Sequence, residues 1–175
     1  SGKPVEASPR VMLKNQIKKL KTQNLTMKSG VECEYFLISP DGDSIADPRD
    51  TQSKPCYDQS ALMRRYDLIK EICDCMIEMG WGPYQNDHED ANGQFEMNWD
   101  YSDCLETADR HTFFKYMVKT IAEKHGLRAT FMPKPFNNLT GNGCHAHVSV
   151  WQGKKNMFLD KSDKLGLSKI AYNFL

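Results

Sequence analysis

Apolar residues recur along this 175-residue chain with two periods, one near 3.6 residues and one of two. Three stretches carry the helical period. The first opens at Ser8-Pro9, a cap residue followed by proline at the first helical position, and runs to about Asn24. Its Leu13, Ile17 and Leu20 form an apolar side, and Lys14, Lys18, Lys19 and Lys21 a solvated one. The second is predicted over 60–79, with Leu62, Tyr66, Ile69, Cys73 and Met76 on one stripe and Gly80 as its stop. The third spans 102–125, buries Phe114, Met117, Val118, Ile121 and Ala122, and stops at Gly126. Strands are predicted over 31–39, 84–87, 93–101, 127–132 and 144–151, with a Gly/Pro/Asn-rich connection from Pro133 to Gly143. The order is helix, strand, helix, two strands, helix, two strands. It lacks strict β-α-β alternation, which predicts an α+β fold with a largely antiparallel sheet and flanking helices.

Composition narrows the classes. Lysine plus arginine and aspartate plus glutamate number 23 each, so the basic excess that a nucleic-acid partner calls for is missing. No apolar run approaches the ~20 residues of a membrane helix. No secretory leader pattern opens the sequence. The six cysteines include no C-x-x-C pair and read as reduced thiols in a cytoplasmic protein. The sequence opens on Ser1-Gly2-Lys3-Pro4 and ends at 170–175 within an apolar helical pattern, so a longer parent protein is expected.

Three of the strands carry chemistry. In the first, alternation sets Val31, Cys33, Tyr35 and Leu37 on one face and Glu32, Glu34, Phe36 and Ile38 on the other. Turning that second face to water would expose Phe36 and Ile38 with the glutamates. Either a compensating cation or a solvated sheet end accommodates the two carboxylates. The second strand aligns Gln94, Glu96 and Asn98 against an apolar back of Phe95, Met97 and Trp99, and follows the polar run from Asn86 to Gly93, which includes Glu89. The third aligns His145, His147 and Ser149 opposite Cys144, Ala146, Val148 and Val150, just after Gly141-Asn142-Gly143. Many carboxylates and few imidazoles suit oxygen-loving Mg²⁺ or Mn²⁺ better than structural zinc. Neither a Walker-type G-x-x-x-x-G-K-[ST] nor a G-x-G-x-x-G is present. The residues alone thus point to a metal-dependent site able to serve a nucleotide.

Four stretches in order carry a resemblance. Gly30-Val31-Glu32-Cys33-Glu34-Tyr35-Phe36, His88-Glu89-Asp90-Ala91-Asn92-Gly93-Gln94-Phe95-Glu96, Phe131-Met132-Pro133-Lys134-Pro135 and Gly141-Asn142-Gly143-Cys144-His145-Ala146-His147 resemble the successive motifs of glutamine synthetases. Tyr57-Asp58-Gln59 and residues 84–99 are most similar to the GlnT-type (type III) and γ-glutamylmethylamide synthetase branch.

The resemblance implies an antiparallel catalytic barrel with two Mg²⁺ or Mn²⁺ ions per site. It assigns Glu34, Glu89 and Glu96 to the ion nearer glutamate, and Glu32 and His145 to the ion nearer the phosphates. It brings Tyr101, His147 and Ser149 to ATP, and Thr140 and Gly141 to glutamate, and identifies no further catalytic group within these residues. Two positions depart from the common pattern: Thr140 stands where asparagine is usual, and Tyr84 where a nucleotide-contacting glutamate is usual. The implied reaction joins ammonia or a small amine to the glutamate γ-carboxylate through γ-glutamyl phosphate, in a cytoplasmic homo-oligomer. Residues 1–175 would form part of the catalytic domain, without its amino-terminal β-grasp domain or carboxy-terminal part, and would be inactive alone. The rival reading, a non-catalytic scaffold of the same family, predicts lost ligands, yet all five expected within these residues are present.

Overall fold

In the computed structural model, which describes residues 2–175, the strand bearing Glu32 and Glu34 lies mid-sheet. The elements are α1 (Pro9–Thr22), β1 (Thr26–Ile38), α2 (Gln59–Met63), α3 (Tyr66–Glu78), β2 (Pro83–His88), β3 (Gln94–Trp99), β4 (Ser102–Asp103), α4 (Cys104–Lys124), β5 (Arg128–Thr130), β6 (Cys144–Gln152), β7 (Lys155–Asn156) and α5 (Lys169–Tyr172). The strand order is β2-β3-β1-β6-β7, and β4 and β5 also pair with β1. The β1/β3, β1/β4, β1/β5, β2/β3 and β6/β7 pairings are antiparallel, as expected of an α+β fold.

Two boundaries differ from expectation for physical reasons. Strand β1 begins five residues early because Lys28 and Ser29 pair with Asp103 and Ser102, a ladder between polar residues that hydrophobic alternation cannot reveal. The same pairing takes residues 102–103 out of the predicted third helix. The helix predicted over 60–79 is two helices. Arg64 turns to the Asp47 carboxylate and Arg65 donates to the Ala46 carbonyl at 2.6 Å. The break shifts the helical phase, so Leu68, Ile69, Ile72 and Met76 are the buried positions of α3, and Tyr66 is exposed.

The chain forms two compact units. One comprises Val31–Asp100 and Arg110–Ala146. In it the odd-numbered face of β1 (Cys33, Tyr35, Leu37) packs with Leu68, Ile69, Ile72 and Met76 of α3 and Phe114, Met117, Val118, Ile121 and Ala122 of α4. Burial of each large apolar side chain stabilises by ~1.5–3 kcal/mol. The even-numbered face carries a smaller cluster, Phe36, Ile38 and Ala91, with Phe136 packed on it. Between that cluster and the end of the unit lie Glu32 and Glu34.

The other unit comprises residues up to Gly30, Tyr101–Asp109 and His147–Leu175. Helix α1 buries no residue fully; its Arg10 forms a two-pronged pair with Asp109 at 2.9 and 2.8 Å. Lys28 lies over the rings of Tyr101 and Trp151, 5.5 and 5.1 Å from their centroids. Among the described residues no helix is long and apolar enough to cross a membrane.

Candidate metal centre

Antiparallel register puts Glu34 opposite Glu96, and Glu32 opposite Asn98. Across the next ladder Asp87 stands opposite Glu96. Directly opposed residues on one sheet face have Cβ atoms ~4.5–5.5 Å apart, and like charges there repel. Glu34 and Glu96 are nonetheless only 8% and 7% exposed. Ligand atoms of Glu32, Glu96 and His145 all lie within 4.8 Å of one another.

Each acid is held by a donor. His145 donates from Nδ1 to Glu32 at 2.9 Å. Glu34 Oε2 accepts from Gln94 Nε2 and from the Gly143 amide, both at 2.9 Å. The second bond requires close backbone approach: a Cβ on Gly143 would lie 2.7 Å from Glu34 Oε1. Asn98 donates to Glu96 at 2.7 Å, while its own Oδ1 is buried with no donor. An unsatisfied acceptor beside clustered carboxylates fits a cation, which would satisfy it and offset their repulsion.

Glu89 is carried by the turn after β2. His88 donates from Nε2 to Asp50 at 2.6 Å, and its Nδ1 lies 2.8 Å from the Glu89 carbonyl oxygen. Asp50 also accepts from Asn92 and from the Gly93 amide, at 2.9 and 2.6 Å. The Glu89 carboxylate lies with Cys56 and Asp90, mutually within 4.8 Å. The resemblance groups Glu96 with Glu34 and Glu89. In this structure Glu96 offers a ligand atom within 4.8 Å of those of Glu32 and His145, and it accepts from Asn98.

Electrostatics still link the two clusters. Burial first, then repulsion from Glu96 and Glu34, pushes Glu89 up to about 7. Glu96 is likewise raised, by burial and then by Glu32, Glu34 and Asp87, against the lowering hydrogen bond from Asn98. The hydrogen bond and charge of Glu32 raise His145. A shared field that opposes ionisation of carboxylates and favours an imidazolium is strongly negative, the property of a cation site.

Sequence reasoning missed Asp50 and gave Tyr57 no role beyond its place in a motif. Asp50 lies outside every periodic stretch, and its role depends on a contact 38 residues away. Tyr57 has a φ of 65°, a costly conformation for an aromatic residue. It is exposed, and its phenol is raised by Cys56, Asp87 and Glu89. No local pattern announces such a backbone.

Gly141 is packed tightly: a Cβ there would fall 2.4 Å from the Pro133 carbonyl oxygen. Gln94 donates to its carbonyl at 3.0 Å, and Thr140 beside it is exposed. Tyr101, His147 and Ser149 belong to the other unit. There Ser149 accepts from Trp151 Nε1 at 2.8 Å, and Tyr101 is exposed beside Lys28. Two cavities, of about 340 Å³ around Arg65 and His125 and about 180 Å³ around Ile17 and Asp103, contain none of the residues assigned to metal, ATP or glutamate.

The family of the glutamine synthetase catalytic domain matches residues 6–175. The chain belongs to that family. A glutamine synthetase of Rhizobium meliloti (strain 1021) is 64% identical over 98% of the chain and 40% of its own length. A glutamate–methylamine ligase of Methyloversatilis universalis is 46% identical over 99% of the chain, again 40% of the relative. Among solved structures, a GmaS/ADP complex matches with a TM-score of 0.96 and 63% identity, covering 99% of this chain and 40% of that one. This glutamine synthetase-family chain thus spans about 40% of the length of the relatives it matches.

Proposed function

We propose that the protein containing this chain is an ATP-dependent ligase that joins ammonia or a small amine to the γ-carboxylate of glutamate through γ-glutamyl phosphate. The observation that carries the reading is the convergence of Glu32, Glu96 and His145, with Glu34 and Glu89 in the same negative field. These five residues would hold two Mg²⁺ or Mn²⁺ ions. Bound there, the ions supply the positive charge that a transferring phosphoryl group needs as negative charge spreads over its oxygens. The chain's own groups orient: Gly143 and Gln94 fix Glu34, Asn98 fixes Glu96, and the Asp50–His88 pair fixes the turn bearing Glu89. Gly141, with Thr140, would meet glutamate. His147, Ser149 and Tyr101 would meet ATP, a reading supported by likeness to a protein solved with ADP.

Residues 1–175 are read as part of the catalytic domain, with the amino-terminal β-grasp domain and the remaining catalytic residues supplied by the rest of a cytoplasmic homo-oligomer. Both ammonia and methylamine are kept as acceptors because relatives bear names of both kinds. The test supplies full-length protein with ATP, glutamate, Mn²⁺ or Mg²⁺, and either amine, then follows phosphate release and identifies the product by mass. Release that needs glutamate, amine and metal supports the proposal; ATP hydrolysis indifferent to the amine would refute it.

A further inference from the structure

Behind the acidic face lies a thiol pair that the proposed reaction does not use. Cys33 sits on β1 between Glu32 and Glu34, and Cys144 opens β6 between Gly143 and His145. The two thiols are near enough to interact electrostatically. Both also reach the same nitrogen of α4: His111 Nε2 lies 3.7 Å from the sulfur of Cys33 and 3.9 Å from that of Cys144. Cys33 is buried and Cys144 exposed.

Packing alone does not account for this arrangement. A buried cysteine serves well as a small hydrophobe, which covers Cys33. It does not cover an exposed thiol at the start of a strand, aimed at a second thiol and an imidazole. Strands β1 and β6 are neighbours in the sheet. Neighbouring strands run ~4.7–4.9 Å apart, inside the ~4.4–6.8 Å Cα window of a disulfide. The His111 nitrogen that both sulfurs reach shows that the two cysteines sit near one another across these strands.

We propose that Cys33 and Cys144 form a reversible disulfide when the protein meets a peroxide, and that the crosslink weakens divalent-cation binding on the opposite face. The accessible Cys144 sulfur attacks hydrogen peroxide, forming an S–O bond as the O–O bond breaks. The thiol proton leaves with the displaced hydroxide as water. Cys33 sulfur then attacks the sulfenic sulfur of Cys144: the S–S bond forms and the S–O bond breaks. His111 Nε2 takes the Cys33 proton and passes it to the departing hydroxide. Two thiols lose two electrons, and one peroxide becomes two waters.

The coupling to cations, which rests on the metal reading above, follows from chain neighbours. Drawing the sulfurs to ~2.05 Å turns Cys144, whose neighbour Gly143 holds Glu34 and whose neighbour His145 holds Glu32. Disturbing the groups that orient metal ligands typically costs ~10–100-fold in affinity.

The experiment oxidises reduced full-length protein with hydrogen peroxide, digests it without reductant and maps peptides by mass. The expected product is one linked pair holding Cys33 and Cys144, two hydrogens lighter than the separate peptides, released by dithiothreitol and absent in Cys144→Ser. Mn²⁺ affinity should fall ~10-fold on oxidation and recover on reduction. Recovery of the two cysteines on separate peptides, as free thiols or with Cys144 taken to the sulfinic acid, overturns the disulfide. A linked pair with unchanged Mn²⁺ affinity overturns the coupling. Should the reduced protein bind no Mn²⁺ at all, the metal reading fails, while the peptide map still decides the disulfide.

Discussion

His88 and Asp50 form a buried pair, 0% and 3% exposed, with Nε2 2.6 Å from Oδ2, and the turn that presents Glu89 hangs from it. Asp50→Ala would leave His88 and the Gly93 amide as buried donors without an acceptor. Leaving a buried donor unsatisfied costs ~1–3 kcal/mol. The expected result is a large fall in the urea midpoint together with weaker Mn²⁺ binding. A variant of wild-type stability would show that Asp50 does not organise this turn.

Glu96→Ala should separate function from folding. Its carboxylate is raised by burial and by Glu32, Glu34 and Asp87, so in metal-free protein near neutral pH the charge opposes folding. Thermal melts of the metal-free variant should match or exceed wild type. Amide formation by the full-length protein should drop by at least ~10², the scale of losing one placed electrostatic group. Near-normal turnover at low Mn²⁺ would remove Glu96 from the ligand set.

Much of this centre was legible because a strand has only two faces. Phe36 and Ile38 could not be buried without carrying Glu32 and Glu34 with them, and both pairs share the even-numbered face of β1. Gln94, Glu96 and Asn98 follow the same rule. What escaped depends on distant partners. The break between α2 and α3 exists because Asp47 and the Ala46 carbonyl engage two arginines, and neither acceptor belongs to the helical pattern. The hydrogen bonds that orient these acids, from Asn98 to Glu96 and from the Gly143 amide to Glu34, are contacts that a motif does not encode.

Gly141→Ala should damage the proposed glutamate site. Its Cβ would fall 2.4 Å from the Pro133 carbonyl oxygen, and backbone cannot yield as a flexible side chain does. The 133–143 connection must shift, taking with it the carbonyl that Gln94 grips. The expected readout is a rise in KM for glutamate well beyond any change for ATP. Equal effects on both substrates, or none, would detach Gly141 from glutamate binding.

The pH dependence of cation binding is the sharpest electrostatic consequence. Glu89 is pushed from the ordinary glutamate value of 4.5 up to about 7 in the folded chain. Its contribution to folding is therefore fully favourable below pH 4.5 and is lost as pH rises through 7, where burial and neighbouring carboxylates oppose the charge. Cation binding runs the other way, since the ion needs the carboxylate and must displace the proton below pH 7. For one such group, Mn²⁺ affinity should be about tenfold weaker at pH 6 than at pH 8. His145, raised by Glu32, must also shed its proton to bind a metal and adds in the same direction, so tenfold is a floor. Titration calorimetry at the two pH values measures the ratio directly. Glu89→Gln should bind more weakly and with a shallower pH dependence, because one proton fewer is displaced while Glu96 and His145 still contribute. Affinity that is flat in wild type from pH 6 to 8, or that strengthens toward acid, would mean that Glu89 does not take part in holding the ion.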